Sequence, residues 1–370
     1  MKRGSRINRY LDRWFGIPAV AVATLVCRKH DRPVIVKSIG FIAAPALGDT
    51  FLTSAAVLDA KKAFPEAKLH YFATRNNAGA VRLIPGIDEV TLIDYQSPAQ
   101  AIRTLRDKKL DVLFDFTQWH RATALYSAAS GAQYRVGFKS LGQARHYLYD
   151  KTAVHSPLLH EYVNFQALVA ALDVPVAAKP RLTYTGSQAE RKRESQIVFH
   201  PWPSGDLSYL REWSADIWIQ LARRLRENAD CFKVTGSQAD APRTQQLVSL
   251  LREADLPAEP VHGSDGLGGL CDELQKSSLV VSVNTGIMHL AAILGVPTIA
   301  LNGPTSTLRW GPVGPYVESV EPRGGGGGFL HFGYEFSGNP RDTMARIHVE
   351  DVHEAALNLL PKLQREAQTA

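Results

Sequence analysis

The chain is poor in cysteine and has no apolar run long enough to cross a bilayer. Only Cys27, Cys231 and Cys271 occur in 370 residues. They lie far apart, without CxxC or paired histidines, which excludes a disulfide framework, argues against a zinc site and points to a reducing compartment. The apolar run from Trp14 to Cys27 falls short of the roughly 20 residues a spanning helix needs. No Gly-x-Gly-x-x-Gly follows the first apolar segment between Val34 and Asp49, and no Walker A lysine motif occurs anywhere, so neither a nicotinamide-dependent dehydrogenase nor a P-loop enzyme is supported. Charge excess is also missing from most of the chain. The net charge is +6, yet residues 1 to 33 hold eight Lys or Arg against two Asp, leaving 34 residues of each sign elsewhere. A balanced body of this kind gives no support to nucleic-acid binding.

What is there is an ordinary soluble composition, 45% hydrophobic and 21% charged, in a chain long enough for two domains. The leader, 1–33, interleaves Arg6, Arg9 and Arg13 with Tyr10, Leu11, Trp14 and Phe15 before its apolar run, then ends in Arg28 and Lys29. Three readings stay open for it: an anchor lying in the membrane interface, a plain helix packed on the domain, and an export or insertion signal.

From Pro33 the pattern becomes alternating strand and helix. Val34 to Val36, Leu69 to Ala73, Val90 to Ile93 and Val112 to Phe116 read as strands. A long connection from Lys37 to Gly48 leads to a helix after Asp49-Thr50, and Ala99 to Lys108 is another helix. A Pro-containing link near Asp173 to Pro180 precedes a second set: strands Gln196 to His200, Cys231 to Thr235, Leu279 to Val283 and Thr298 to Leu301, with helices Ala215 to Glu227 and Arg243 to Glu253. This alternation predicts two α/β domains with parallel sheets, 34–175 and 176–348, followed by a closing helix in 349–370. The glycine run Gly324 to Gly328 reads as a mobile loop or an insertion without function.

The most informative segment is Val280 to Pro312. A buried strand stops at Asn284-Thr285-Gly286, a helix begins at once, and a further strand opens onto Gly303-Pro304-Thr305. A helix amino terminus at the carboxyl edge of a parallel sheet offers N–H groups and a partial positive charge to an anion.

This segment resembles glycosyltransferase family 9, the heptosyltransferases of lipopolysaccharide core assembly. The family signature runs Asp-Thr-Gly, two residues, His-Leu-Ala-Ala, then Gly-Pro-Thr and Trp-Gly-Pro. Thr285, Gly286, His289, Leu290, Ala291, Ala292, Gly303, Pro304, Thr305, Trp310, Gly311 and Pro312 match it. Asn284 stands where the family usually carries Asp, which removes a negative charge beside a diphosphate. Ala46-Leu47-Gly48-Asp49 with Phe64-Pro65, His200-Pro201 with Arg211, Trp213 and Trp218, Gly236-Ser237, and Met344, Ile347, Val349 and Glu350 extend the resemblance over Val34 to Leu360.

The resemblance implies a GT-B fold, with two Rossmann-like domains facing across a cleft and the final helix, Val349 to Leu363, returning to brace the first. It implies an inverting transfer of heptose from ADP-heptose to a lipid-linked glycan acceptor, cytoplasmic and peripheral on the inner membrane. No cofactor is expected. No DxD occurs, which favours a metal-free mechanism, with Arg211 supplying charge where the family usually has Lys. Asp49 is the expected base, and its competing use is as an N-cap for the helix starting at Thr50. Arg211 alone would pass for a solvated loop arginine. Thr285, Gly286, Gly303 and Thr305 are expected around the nucleotide, with His200 at a strand end. His289 fits a structural or phosphate-contacting role better than a proton shuttle. Gln118 and His160 are expected on the acceptor side. The alternatives are a related protein that binds a sugar nucleotide without turnover and a family member with another donor.

Overall fold

The computed structural model of the chain describes residues 12–43, 46–184, 195–205, 207–261, 266–330 and 342–367. Two units result, Met1–Thr183 and Tyr184–Ala370. In the first, α1 (Ile17–Val26) precedes β1 (Ser38–Ile42), α2 (Leu47–Leu52), α3 (Ser54–Ala63), β2 (Lys68–Ala73), α4 (Ala78–Val81), β3 (Glu89–Leu92), α5 (Pro98–Arg106), β4 (Val112–Asp115), α6 (Arg121–Ala129), β5 (Tyr134–Lys139), β6 (Lys151–Val154) and α7 (Glu161–Ala170). The second holds β7 (Gln196–His200), α8 (Ala215–Arg224), β8 (Cys231–Thr235), α9 (Ala241–Glu253), β9 (Ala258–Val261), α10 (Gly266–Lys276), β10 (Leu279–Val283), α11 (Gly286–Ile293), β11 (Thr298–Leu301), α12 (Thr307–Trp310), β12 (Val317–Val320) and α13 (Val349–Ala367).

Each sheet is six-stranded and parallel, ordered β3-β2-β1-β4-β5-β6 and β12-β11-β10-β7-β8-β9. Counted within its own unit, each follows the Rossmann order 3-2-1-4-5-6. The order therefore reverses between β1 and β4 in one sheet and between β7 and β10 in the other. Crevices at such reversals, outside the carboxyl ends of the strands, are where open α/β sheets bind ligands.

Side-chain alternation along the strands feeds two core layers per sheet. In the first unit Ile42, Phe72 and Leu113 join Ala101, Leu105 and Tyr126 of α5 and α6. Phe41 faces the other way, stacked on Phe114 and Phe116 at 5.6 and 5.4 Å, with Phe165 of α7 5.4 Å from Phe116. In the second unit Phe199, Val234, Val281 and Ile299 pack with Trp218, and Trp213 meets Trp218 edge-on at 5.2 Å.

Two expectations need correction. Val34 to Val36 is not the first strand: Val34 is 100% exposed and Ile35 68%. The Asp111 carboxylate accepts the N–H groups of Lys37 and Ser38 at 2.7 and 2.9 Å, which starts β1 level with β4. The connection to the next helix is correspondingly short. The unit boundary falls between Thr183 and Tyr184 rather than after residue 175, because the link is tied down. Buried Asp59 accepts the N–H groups of Ala177 and Ala178 (both 3.0 Å), and Thr183 donates to Leu83 O at 2.7 Å. Val352, Ala356 and Leu359 pack in the second core, and Arg323 and Arg224 pair with Asp351 and Glu350. Of the leader, residues 12–33 are described. Val20 of α1 packs with Ala124, Leu148 and Tyr149, while Asp12 pairs with Arg121.

Candidate functional site

At the reversal point of the second sheet, β7 ends in His200 and β10 runs into Asn284 and Thr285. Thr285 caps α11, its hydroxyl accepting the Met288 N–H at 3.5 Å, so Gly286 opens the helix with its amino terminus at the sheet's carboxyl edge. Arg211 comes from a 3-10 turn, Ser208–Arg211. It is buried, not a solvated loop residue. Its Nη1 donates to Asn284 O at 3.0 Å and its Nη2 to Ser204 O at 2.5 Å, tying the backbone after β10 to the backbone after β7. One guanidinium thus fixes both lips of the crevice and sets a permanent positive charge there.

Asn284 is buried and its amide points to the loop after β11 and to the last residue of α12. Its Nδ2 donates to Asn302 Oδ1 (2.7 Å) and to the Trp310 carbonyl (2.8 Å), while Asn302 Nδ2 donates to Ser319 Oγ at 3.2 Å. Both bonds use Asn284 as a donor, which an ionised carboxylate cannot be. Asn302 and the Trp310 carbonyl therefore account for Asn at this position.

His200 has its Nδ1 2.7 Å from Thr235 Oγ1, and that hydroxyl also reaches Phe199 O at 3.3 Å. Burial, partly offset by Asp240, pushes the His200 pKa down to about 4. The ring is neutral at pH 7 and is fixed against β8. His289 is buried in α11. Gly303 packs closely: a Cβ there would lie 2.5 Å from Met344 Sδ, so the Met344 side chain would have to shift. Thr305 is buried and bridges in parallel to Leu330, whose N–H donates to Pro304 O at 2.7 Å. The Gly324 to Gly328 run is seated on this same turn. Gly328 N–H donates to Gly303 O at 3.2 Å, and a Cβ on Gly327 would meet that oxygen at 2.5 Å. The run is thus fitted to the loop after β11, against the expectation of a mobile loop or a featureless insertion.

In the first unit the reversal point lies between β1 and β4. Asp49 is not an N-cap: α2 starts at Leu47 with Ala46 as its cap residue, which puts Asp49 inside the first turn, buried. A carboxylate there gains from the unsatisfied N–H groups of the turn. The helix is locked by Asn77, whose Nδ2 donates to Thr50 Oγ1 at 3.0 Å and whose Oδ1 accepts from Thr74 N–H at 2.8 Å. The Tyr71 hydroxyl lies 3.1 Å from Thr53 Oγ1, and its pKa is raised by burial, with the nearby Asp49 charge adding to the rise.

Across the reversal, the chain leaving β4 carries Gln118, whose Nε2 donates to Glu161 Oε1 while Ser140 Oγ donates to Gln118 O at 2.8 Å. Glu161 also takes His155 Nε2 at 2.8 Å. His160 caps α7, its Nδ1 accepting the Tyr162 N–H at 3.3 Å. Below them Asp115 pairs with Arg145 (2.7 Å) and accepts the Tyr149 hydroxyl (2.7 Å), all fully buried. Glu161, His155, Asp115 and Arg145 went unnoticed as single residues in the sequence, where nothing marks them as partners. Arg211 and Asn284 are brought into direct contact. Thr285 and Gly286 follow Asn284 at the head of α11, and Gly303 and Thr305 belong to the adjoining loop. Asp49 and Gln118 lie on the two chain exits beside β1 and β4.

A profile of glycosyltransferase family 9 (heptosyltransferase) matches residues 99–323. The chain belongs to this family. Among curated proteins, the lipopolysaccharide core heptosyltransferase OpsX of Haemophilus influenzae is 22% identical over 290 residues, 75% of this chain and 82% of that protein. Among solved structures, E. coli ADP-heptose lipopolysaccharide heptosyltransferase II superposes with a TM-score of 0.70 at 18% identity, covering 89% of this chain and 99% of that one. The iron-containing dodecameric glycosyltransferase TibC from enterotoxigenic E. coli gives a TM-score of 0.57 at 14% identity, covering 91% and 78%. This family 9 glycosyltransferase has the GT-B fold of two Rossmann-like domains. Among the described residues no group of three or more His, Cys, Asp or Glu is arranged to hold a metal ion, and no helix is long and apolar enough to cross a membrane.

Proposed function

We propose that the enzyme is an inverting heptosyltransferase that moves heptose from ADP-heptose to a lipopolysaccharide core or related lipid-linked glycan, at the cytoplasmic face of the inner membrane and without a protein-held metal. The observation that carries the donor half is Arg211 bonded to both Asn284 O and Ser204 O beside the amino terminus of α11. A buried guanidinium and a helix amino terminus suit the two negative charges of a leaving diphosphate. Thr285, Gly286, Gly303 and Thr305 complete the nucleotide pocket. His200 contributes a neutral imidazole, His289 a second ring from α11, and Asn284 ties the strand end to the loop after β11.

In the transfer, Asp49 takes the proton of the acceptor hydroxyl as its oxygen bonds the anomeric carbon. The bond from that carbon to the diphosphate breaks, and ADP departs with the electron pair. Gln118 and His160 bind the acceptor glycan. The named activities of the relatives support heptose and the core acceptor for this chain.

The test is ADP release with a core-oligosaccharide acceptor, run beside a thermal-shift panel of ADP, UDP, GDP and CDP. Asp49→Asn is expected to lower turnover roughly hundredfold to ten-thousandfold while ADP still stabilises the protein. Unchanged turnover removes Asp49 as the base, and a preference for UDP or GDP removes the heptose assignment. Chelator-sensitive turnover restored by Fe(II) removes the metal-free mechanism. Nucleotide binding with no release by wild type makes this a binding protein.

A further inference from the structure

The helix α1 has apolar residues on all its sides. Its sequence is Ile-Pro-Ala-Val-Ala-Val-Ala-Thr-Leu-Val, and its one polar side chain, Thr24, returns its hydroxyl to Val20 O at 2.7 Å. A helix apolar all round calls for apolar cover all round. Among the described residues, the first unit covers one side: Val20 is buried and Ala23, Thr24 and Cys27 are half-buried, at helical spacing. The other side, Ile17, Val22, Leu25 and Val26, is exposed, Leu25 to 86%, as are Trp14 and Phe15 in the turn before it.

This face is held in place at both ends. Arg121 donates its N–H and its guanidinium to Asp12, and Arg135 donates Nη2 to Arg28 O at 2.6 Å and Nη1 to Cys27 Sγ at 2.9 Å. The helix cannot roll its open side inward without breaking these bonds. The segment that receives α1 adds Leu141 and Tyr147, both exposed, on its outside. Arg28, Lys29 and Lys139 are exposed nearby. Lys139 and Lys29 are both close enough to His146 to reinforce the fall that burial causes in its pKa.

We propose that this face docks on an anionic lipid bilayer, with α1 lying in the interface. Trp14, Phe15, Val22, Leu25 and Val26 enter the acyl boundary while the basic residues meet lipid phosphates. Charge decides between lipid and a second copy of the chain. Residues 1–33 hold eight Lys or Arg against two Asp, and Asp12 is already paired with Arg121. A two-fold contact would set two such segments against each other. The proposal rests on the heptosyltransferase reading only for its purpose, which is to bring the enzyme to a lipid-linked acceptor.

The full chain is sedimented with vesicles of phosphatidylcholine alone and of phosphatidylcholine with phosphatidylglycerol, and its mass is followed by light scattering. Binding is expected only to the anionic vesicles. It should fall roughly tenfold for each of Val22→Asp and Leu25→Asp and about fivefold for each of Arg28→Gln and Lys29→Gln. These side chains are exposed, so the melting temperature of each variant should stay at the wild-type value. Equal binding by all variants overturns the proposal, as does no binding to anionic vesicles. A concentration-dependent dimer that Leu25→Asp converts to monomer overturns it in favour of self-association. ADP release with a water-soluble acceptor separates the two readings: vesicle binding without ADP release leaves the docking face standing and the transferase reading refuted, and the converse result does the opposite.

Discussion

Replacing Asn284 by the family's usual Asp should destabilise this protein, and the deficit should grow with pH. Asn284 makes two donor bonds, 2.7 Å to Asn302 Oδ1 and 2.8 Å to the Trp310 carbonyl, from a buried position. With Asn284→Asp, Asn302 can rotate its amide and donate instead, since the Ser319 hydroxyl bonded to it both donates and accepts. The Trp310 carbonyl has no such remedy and would face a carboxylate. An ionised Asp there costs about 1–3 kcal/mol for the stranded carbonyl, with repulsion added. The folded-state pKa of that Asp is then raised above its unfolded value of about 3.9. Below about pH 4 the group is protonated in both states and can still donate one bond, so the deficit is smallest. As pH rises the deficit grows by about 1.4 kcal/mol per unit until the folded-state pKa is passed, then levels off. Asn284→Ala loses both bonds and no charge is added, so its deficit of roughly 2–4 kcal/mol should be flat in pH. Urea unfolding of the three proteins between about pH 4.5 and pH 8 reads both curves. Because Asn284 O is also the acceptor of Arg211 Nη1, ADP affinity should weaken along with stability in the Asp variant. A deficit below about 0.5 kcal/mol at pH 8, flat across the range, would refute the account of why Asn stands here.

His200 supplies a second pH-dependent term. Its folded-state pKa of about 4 lies below the unfolded value of about 6.5. The stability it contributes is therefore full above pH 6.5 and lost as pH falls toward 4, roughly 3 kcal/mol in all; His200→Asn should flatten that part of the urea-derived stability curve. In the first unit Arg145→Met leaves Asp115 buried without its cation and should cost about 3–5 kcal/mol in urea unfolding. Adding Asp115→Asn should recover part of that loss, and failure to recover any would show that the pair is not the cause.

The parts of the fold that rest on periodicity were legible. β7, β10 and β11 fall on their expected residues because apolar runs buried on both faces have clear ends, and so does β8, whose alternate residues are buried. Val34-Ile35-Val36 misled because the apolar triplet is strand-like by itself, whereas the start of β1 is set by Asp111, a residue far along the chain. The same holds at the sites. Arg211, Asn284 and Thr285 could be picked out by motif, but the bond from Arg211 to the Asn284 carbonyl and the pairing of Asn284 with Asn302 are long-range facts. Glu161 and His155 carried no signal at all, since their partnership with Gln118 exists only once β4 and α7 are folded together. Local pattern finds elements and short motifs. It does not find partners.

One topology is used twice, yet the two reversal points differ in chemistry. In the second unit the side chains at the exits of β7 and β10 are a neutral imidazole, a guanidinium, an amide and a hydroxyl: His200, Arg211, Asn284 and Thr285. That set of a cation and neutral donors favours an anion. In the first unit the corresponding exits carry Asp49 and Asp115, and the loop beside them contacts Glu161 through Gln118. Asp115 is engaged by Arg145 and Tyr149, and Glu161 by His155 and Gln118, so these two carboxylates serve the fold. Asp49, in the first turn of α2, is the carboxylate proposed above for proton transfer. A leaving diphosphate needs the first kind of crevice and an attacking hydroxyl needs the second. Removing the cation from the second unit's crevice should therefore defeat the enzyme. Arg211→Met should abolish ADP stabilisation in a thermal-shift assay while leaving the first unit's unfolding unchanged, and retained ADP stabilisation would mean that the diphosphate is held elsewhere.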